Sequence, residues 1–219
     1  MCKCIFFDFD GTLVDSMPYW ERSFKDQLKD RGIEADGNLL MEMSFMNMYD
    51  STQYVINKFH LDASVDELVE EKKGKMRYYY SNEVPLREGV FELLKDLKAN
   101  GIMTVITTVS SETLIRDSLK RLGIEEYIDG IFSLDDVPYP KTDDRYFIEA
   151  CRKFSVQKED VVMFDDSYPA LKTAKDFGMK TLAVYEKYSA LNWEKILNTA
   201  DWHLDSFTEW NKVRDEILK

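Results

Sequence analysis

The stretch Cys4-Ile-Phe-Phe-Asp8-Phe-Asp10-Gly-Thr-Leu-Val-Asp-Ser16 is an apolar run that ends abruptly in acid, glycine and hydroxyl. A short apolar run of this kind reads as a buried strand opening into a loop. Asp8 then stands at the strand's carboxyl end. Asp10, two residues on, lies on the same side of an extended segment. Ser16 followed by Pro18 marks a helix start, and Tyr19, Trp20, Phe24 and Leu28 recur at helical spacing until Gly32 stops them.

From about 39 to 82 the pattern is helical, with segments over 51–59 and 64–80 and no convincing strand. After Pro85 the period changes. A helix over 89–100 leads to a strand over 102–107, then a helix over 111–122 closed by Gly123. The alternation continues as helix 144–154, strand 161–164, helix 169–177 closed by Gly178, strand 180–184 and a short strand at 202–204. This predicts an α/β fold: a Rossmann-like parallel sheet with helices on both faces, formed by residues 1–16 and 85–219. Residues 17–84 form an inserted α-helical domain. Ligands of such sheets bind beyond the carboxyl ends of the strands.

With 44% hydrophobic and 32% charged residues, the chain has the balance of a folded globular protein rather than a disordered one. Its 29 Lys and Arg against 41 Asp and Glu give a net charge of −12, which repels nucleic acid phosphates at long range. A small phosphorylated metabolite remains possible, because one divalent cation and a few local Lys or Arg reverse the sign inside a pocket. Three cysteines, Cys2, Cys4 and Cys151, with no secretory segment, point to the reducing cytoplasm. Cys2-x-Cys4 has no second Cys or His pair to complete a soft-metal site. No apolar run approaches the roughly 20 residues that a membrane span requires. The expected state is a monomer or weak homodimer.

Four predicted strand ends or loops carry reactive groups: Asp8 with Asp10, Thr107 with Thr108, Lys141, and Asp165 with Asp166. An Asp-x-Asp pair alone is a common solvated loop. The ordered set, however, resembles the four motifs of the haloacid dehalogenase-like superfamily over nearly the whole chain, most closely its helical-capped phosphatases and β-phosphoglucomutases. Asp8-Phe-Asp-Gly-Thr-Leu-Val-Asp-Ser16 matches the first motif, Ile106-Thr-Thr108 the second, Lys141 the third and Phe164-Asp-Asp-Ser167 the fourth.

The resemblance implies a Mg²⁺-dependent phosphatase acting through an aspartyl-phosphate. Asp8 is the expected nucleophile and Asp10 the acid/base. Thr108, with Val109 beside it, and Lys141 would bind the phosphoryl oxygens. Asp8, Asp165 and Asp166, with the Asp10 main-chain carbonyl, would hold the metal. Thr108 is preferred over Thr107 because it follows Gly101 by seven residues, the family's usual spacing. The family often has Lys-Pro-x-Pro at the third motif, whereas here Pro138 and Pro140 precede Lys141. In the insert, Trp20, Phe45, Met46, Met48 and Tyr49 are candidates for an aromatic substrate pocket, Trp20 and Met48 foremost. Met and aromatic residues at helical spacing also serve as core.

Alternatives on the same fold separate by residue. True dehalogenases lack the second acid and the metal, so Asp10, Asp165 and Asp166 weigh against them. The mutases carry a histidine where this chain has Trp20, and an Arg before an Asp-Ser pair that is absent from Asn47-Met-Tyr-Asp-Ser51. A phosphonate hydrolase would need a Schiff-base lysine in the insert, and Lys58 has nothing to mark it as one. A non-catalytic binding protein of the same fold would have to lose chemistry that all four motifs retain.

Overall fold

A computed structural model describes residues 2–35, 39–43, 46 and 48–219. The chain divides into two compact units, Ser16–Val84 and the remainder, Met1–Asp15 with Pro85–Lys219. The first strand, β1 (Cys4–Phe7), is buried throughout. The chain then enters the helical unit: α1 (Met17–Lys29), α2 (Leu39–Glu42), α3 (Met48–Phe59) and α4 (Val65–Asn82).

Helix α1 starts with Pro18 in its first turn, where a missing N–H costs nothing. Helix α4 starts at Ser64, whose hydroxyl accepts the Glu67 amide at 3.2 Å, the Ser-x-x-Glu spacing of a capping box. Phe24 and Leu28 of α1 pack with Leu39, Met43 and Val55 to form this unit's core. Polar ties fix α1 against α4. Gln27 donates to the Leu68 carbonyl at 2.6 Å, and Arg31 forks onto Glu71 at 2.8 and 3.1 Å. Of the three consecutive tyrosines, Tyr79 and Tyr80 are buried and Tyr78 is exposed.

The second unit continues with α5 (Val90–Ala99), β2 (Met103–Thr107), α6 (Glu112–Leu122), β3 (Gly130–Phe132), α7 (Asp144–Phe154) and β4 (Val161–Asp165). Then come α8 (Tyr168–Phe177), β5 (Lys180–Val184), α9 (Trp193–Leu197), β6 (Trp202–Leu204) and α10 (Arg214–Leu218). The six strands form one parallel sheet in the order β3-β2-β1-β4-β5-β6. Side chains alternate between two dry faces. Cys4 and Phe6 join Val105, Met163, Tyr146 and Phe147 on one face. Phe7 meets Phe164 at 5.0 Å on the other, where Phe164 stacks on Phe207.

Strand order reverses between β1 and β4, so the crevice favoured for ligands opens at the carboxyl ends of these two central strands. The Asp8 amide donates to the Phe164 carbonyl at 2.8 Å, which carries the β1–β4 pairing one step past Phe7 and sets Asp8 beside Asp165. Strand β3 escaped the sequence reading. It is only three residues long, and it begins at Gly130, where a Cβ would lie 2.2 Å from the Phe154 ring. The bare backbone that this packing demands erases the apolar signal of a strand. Among the described residues, no helix is long and apolar enough to cross a membrane.

Candidate active site

Lys141 sits in the loop before α7 and reaches three acceptors at the carboxyl edge of the sheet. Its ammonium donates to Asp8 Oδ1 at 2.7 Å, to Asp165 Oδ2 at 2.6 Å and to the Thr107 carbonyl at 3.1 Å. Asp165 is held from its other side, where Oδ1 accepts the Ser167 amide and hydroxyl at 2.8 Å each. Asp166 accepts Thr12 Oγ1 at 3.2 Å and Ser189 Oγ at 3.1 Å. Asp8, Asp165 and Asp166 each offer a carboxylate oxygen, and these atoms lie within 4.8 Å of one another.

Asp10 lies on the loop that follows β1, and its Oδ2 accepts the Ser110 hydroxyl at 2.7 Å. Between Asp10 and Thr12 the backbone turns through Gly11 at φ +80°, and a Cβ there would come within 2.9 Å of Asp166 Oδ1. Only glycine satisfies both the left-handed backbone and the closeness of the acid. The two threonines after β2 part company. Thr107 Oγ1 is directed into the sheet, donating to the Phe7 carbonyl at 3.4 Å. Thr108 Oγ1 accepts the Ser110 amide at 3.0 Å in the loop beyond the strand, and Val109 is exposed.

Three buried carboxylates against one ammonium is an unbalanced set. Burial drives the Asp8 carboxyl well above the usual carboxylate range, with Lys141 opposing and Asp165, Asp166 and Asp10 adding to the rise. Burial, then Asp165 and Glu186, push Asp166 up to about 7, against the Ser189 hydrogen bond and Arg87. Burial works against the charge on Lys141, yet Asp165 and Asp8 outweigh it and hold its pKa well above the ordinary range. The excess negative charge and the all-oxygen donor set fit a hard divalent cation, for which Asp8, Asp165 and Asp166 are the available ligands.

A family model described as haloacid dehalogenase-like hydrolase matches residues 5–184. The chain belongs to that family. Among curated relatives, the glyceraldehyde 3-phosphate phosphatase of Pyrococcus furiosus is 28% identical over 208 residues, covering 88% of this chain and 85% of its own. The N-acetylmuramic acid 6-phosphate phosphatase of Pseudomonas putida is 25% identical over 222 residues, covering 99% and 97%. In fold, the chain is similar to the β-phosphoglucomutase of Clostridium difficile, with a TM-score of 0.76 at 19% identity, covering 99% of this chain and 97% of that one.

The haloacid dehalogenase-like motifs thus gather Asp8, Lys141, Asp165 and Asp166 at one point, with Asp10 on the following loop. The residues expected to grip substrate from the insert lie in the helical unit. Trp20 on α1 and Met48 on α3 are half-buried, while Met46 and Tyr49 are exposed and Phe45 lies outside the described residues. Lys58 pairs with Glu42 on the unit's surface.

Sequence reading missed the hydroxyls that orient the acids. Ser167 could have been found, since a serine two residues after an aspartate favours a local side-chain turn. Thr12 lies inside the first motif. Ser110 and Ser189 reach acids 100 and 23 residues away, and no local spacing reports such contacts.

Proposed function

We propose that the chain is a phosphoric monoester hydrolase that cleaves a small phosphorylated metabolite in two steps. The observation that carries this reading is Lys141 bridging Asp8 and Asp165 inside a buried triad of carboxylates. Asp8 attacks phosphorus in line, forming an Oδ–P bond as the P–O bond to the leaving group breaks. Asp10 gives its proton to the departing oxygen. Asp10 then takes a proton from water as that water attacks phosphorus, which frees Asp8 and inorganic phosphate. Splitting the reaction matters because phosphate monoesters are among the slowest substrates known without a catalyst.

Lys141 and the Thr108 hydroxyl, with Val109 beside it, hold the phosphoryl oxygens where transition-state charge is spread. Asp8, Asp165, Asp166 and the Asp10 main-chain carbonyl would hold Mg²⁺. When bound, the ion supplies the positive charge that keeps Asp8 ionised and screens it from the phosphate dianion. The helical unit, residues 16–84, acts as the cap that selects the leaving group, with Trp20 and Met48 among its contacts. Both relatives named above act on phosphorylated sugars or sugar derivatives, which supports a substrate of that size. Cys2, Cys4 and Cys151 are free and buried, in keeping with work in a reducing cytoplasm.

The test is phosphate release from an aryl phosphate and a panel of phosphorylated metabolites, with Mg²⁺ and with EDTA. Turnover should need the metal and vanish in Asp8→Asn. Activity that survives either treatment would overturn the mechanism. Interconversion of glucose phosphates without net phosphate release would replace hydrolysis by mutase chemistry.

A further inference from the structure

Arg87 follows the chain's return from the helical unit by only a few residues, and it binds the nucleophile loop through both its backbone and its side chain. Its amide donates to the Leu13 carbonyl at 3.0 Å, next to the isolated bridge that pairs Val14 with Leu86. One guanidinium nitrogen, Nη1, donates to the Gly11 carbonyl and to Glu186 Oε2. The other, Nη2, donates to the Tyr185 carbonyl at 2.5 Å. Arg87 keeps 16% of its side-chain surface exposed and Glu186 8%. A planar fork that serves two carbonyls and a carboxylate on separate segments is something a lysine cannot reproduce.

The three acceptors lie next to groups the chemistry needs. The Gly11 carbonyl belongs to the peptide joining Gly11 to Thr12, with Asp10 on one side and the Thr12 hydroxyl that holds Asp166 on the other. Tyr185 and Glu186 lead into the turn that carries Ser189, the second hydroxyl on Asp166. Both supports of Asp166, and the backbone that aims Asp10, therefore descend from segments that one guanidinium pins together. Partners of this kind set the orientation of metal-binding and proton-transferring groups without touching substrate.

We propose that Arg87 is a positioning residue for phosphate-ester hydrolysis, fixing the Asp10–Thr12 loop against the end of β5. The inference rests on the hydrolase reading for its kinetic arm only. Arg87→Ala should lower kcat on an aryl phosphate on the order of 10- to 100-fold while KM moves less than about threefold. Methylguanidinium in solution should restore part of that kcat. Arg87→Lys should fall between the variant and the parent.

Hydrogen exchange followed by mass spectrometry supplies an arm independent of turnover. Peptides covering residues 8–15 should exchange faster in Arg87→Ala, while those covering β4 stay as in the parent. Unchanged exchange over 8–15 overturns the tether, whatever the parent's activity. So does a kcat within threefold of the parent, or a loss that methylguanidinium leaves untouched and that matches the loss of folded protein. A parent inactive on every phosphate ester would sink the hydrolase reading alone, and the exchange arm would still decide the tether.

Discussion

Among the described residues two lysines are buried, one in each unit, and their surroundings are opposite. Lys141 in the α/β unit faces two carboxylates and a carbonyl. Lys72 in the helical unit has its ammonium 2.9 Å from the Thr52 hydroxyl and 3.3 Å from the centre of the Phe24 ring. Burial lowers the Lys72 pKa to about 7, whereas the acids hold Lys141 charged. A buried cation kept charged by a surplus of acids is arranged to meet a further charge. A buried amine given only a hydroxyl and a ring is tolerated by its fold.

Lys141→Met attacks the first half of this comparison. The substitution leaves Asp8 and Asp165 without their cation, and removing one partner of a buried ionic group typically costs about 3–5 kcal/mol. Turnover should fall by a factor on the order of 10² to 10³, because on the proposed mechanism the charge that binds the phosphoryl oxygens goes with it. High Mg²⁺ should restore folding stability more than turnover, read by thermal melts and by kcat in parallel. A variant that keeps kcat within threefold would mean that Lys141 merely neutralises buried acids, and the two lysines would then be alike.

The next pair separates chemistry from packing at adjacent positions. Thr108→Val should lower kcat/KM on the order of tenfold or more, with little change in melting temperature. Thr107→Val replaces a hydroxyl buried in the sheet by a methyl of similar shape, so its effect should fall mainly on stability, within about 1–2 kcal/mol. The opposite pattern would move the phosphate-binding hydroxyl to Thr107. Ser110→Ala removes the hydroxyl on Asp10 and should cost about tenfold in kcat at nearly constant KM, with Ser110→Thr recovering most of it.

These positions also show how far the sequence reaches. The carboxyl ends of β1 and β4 were legible because motif and strand coincide: the apolar run sets the strand, and the acid that ends it stands where ligands bind. An acid at a strand end is weak by itself, and Asp8, Asp165 and Asp166 stand out because the four motifs occur in order and resemble those of the family. The hydroxyls of Ser110 and Ser189 and the guanidinium of Arg87 do not, since each meets its acceptor across a loop whose path only the folded chain defines. In the helical unit the same limit hides Lys72. Charged residues flank it in α4, Glu71 and Lys73 both half-buried, so nothing in Glu70-Glu-Lys-Lys-Gly74 distinguishes the buried lysine from Lys73 beside it. Periodicity finds faces; it does not find which polar residue a face has enclosed.

Lys72→Met carries the smallest expected effect on turnover and the sharpest test of the contrast. The unfolded lysine titrates near its ordinary value of 10.5 and the folded one near 7. Between those values the unfolded chain binds more protons, so stability climbs as pH rises from 7 toward 10 and lies level below about 7. There the buried ammonium costs its fold up to about 5 kcal/mol, offset in part by the ring and the hydroxyl. Methionine fills similar space without the charge, and Thr52 keeps a partner because its hydroxyl also donates to the Met48 carbonyl at 2.7 Å. The variant should therefore gain about 1–3 kcal/mol in denaturant unfolding at pH 6 and lose the slope between pH 7 and 10. Its kcat should stay within twofold of the parent. A fall in kcat comparable to that of Lys141→Met, or a pH slope that survives the substitution, would place Lys72 among the working groups and erase the distinction between the units.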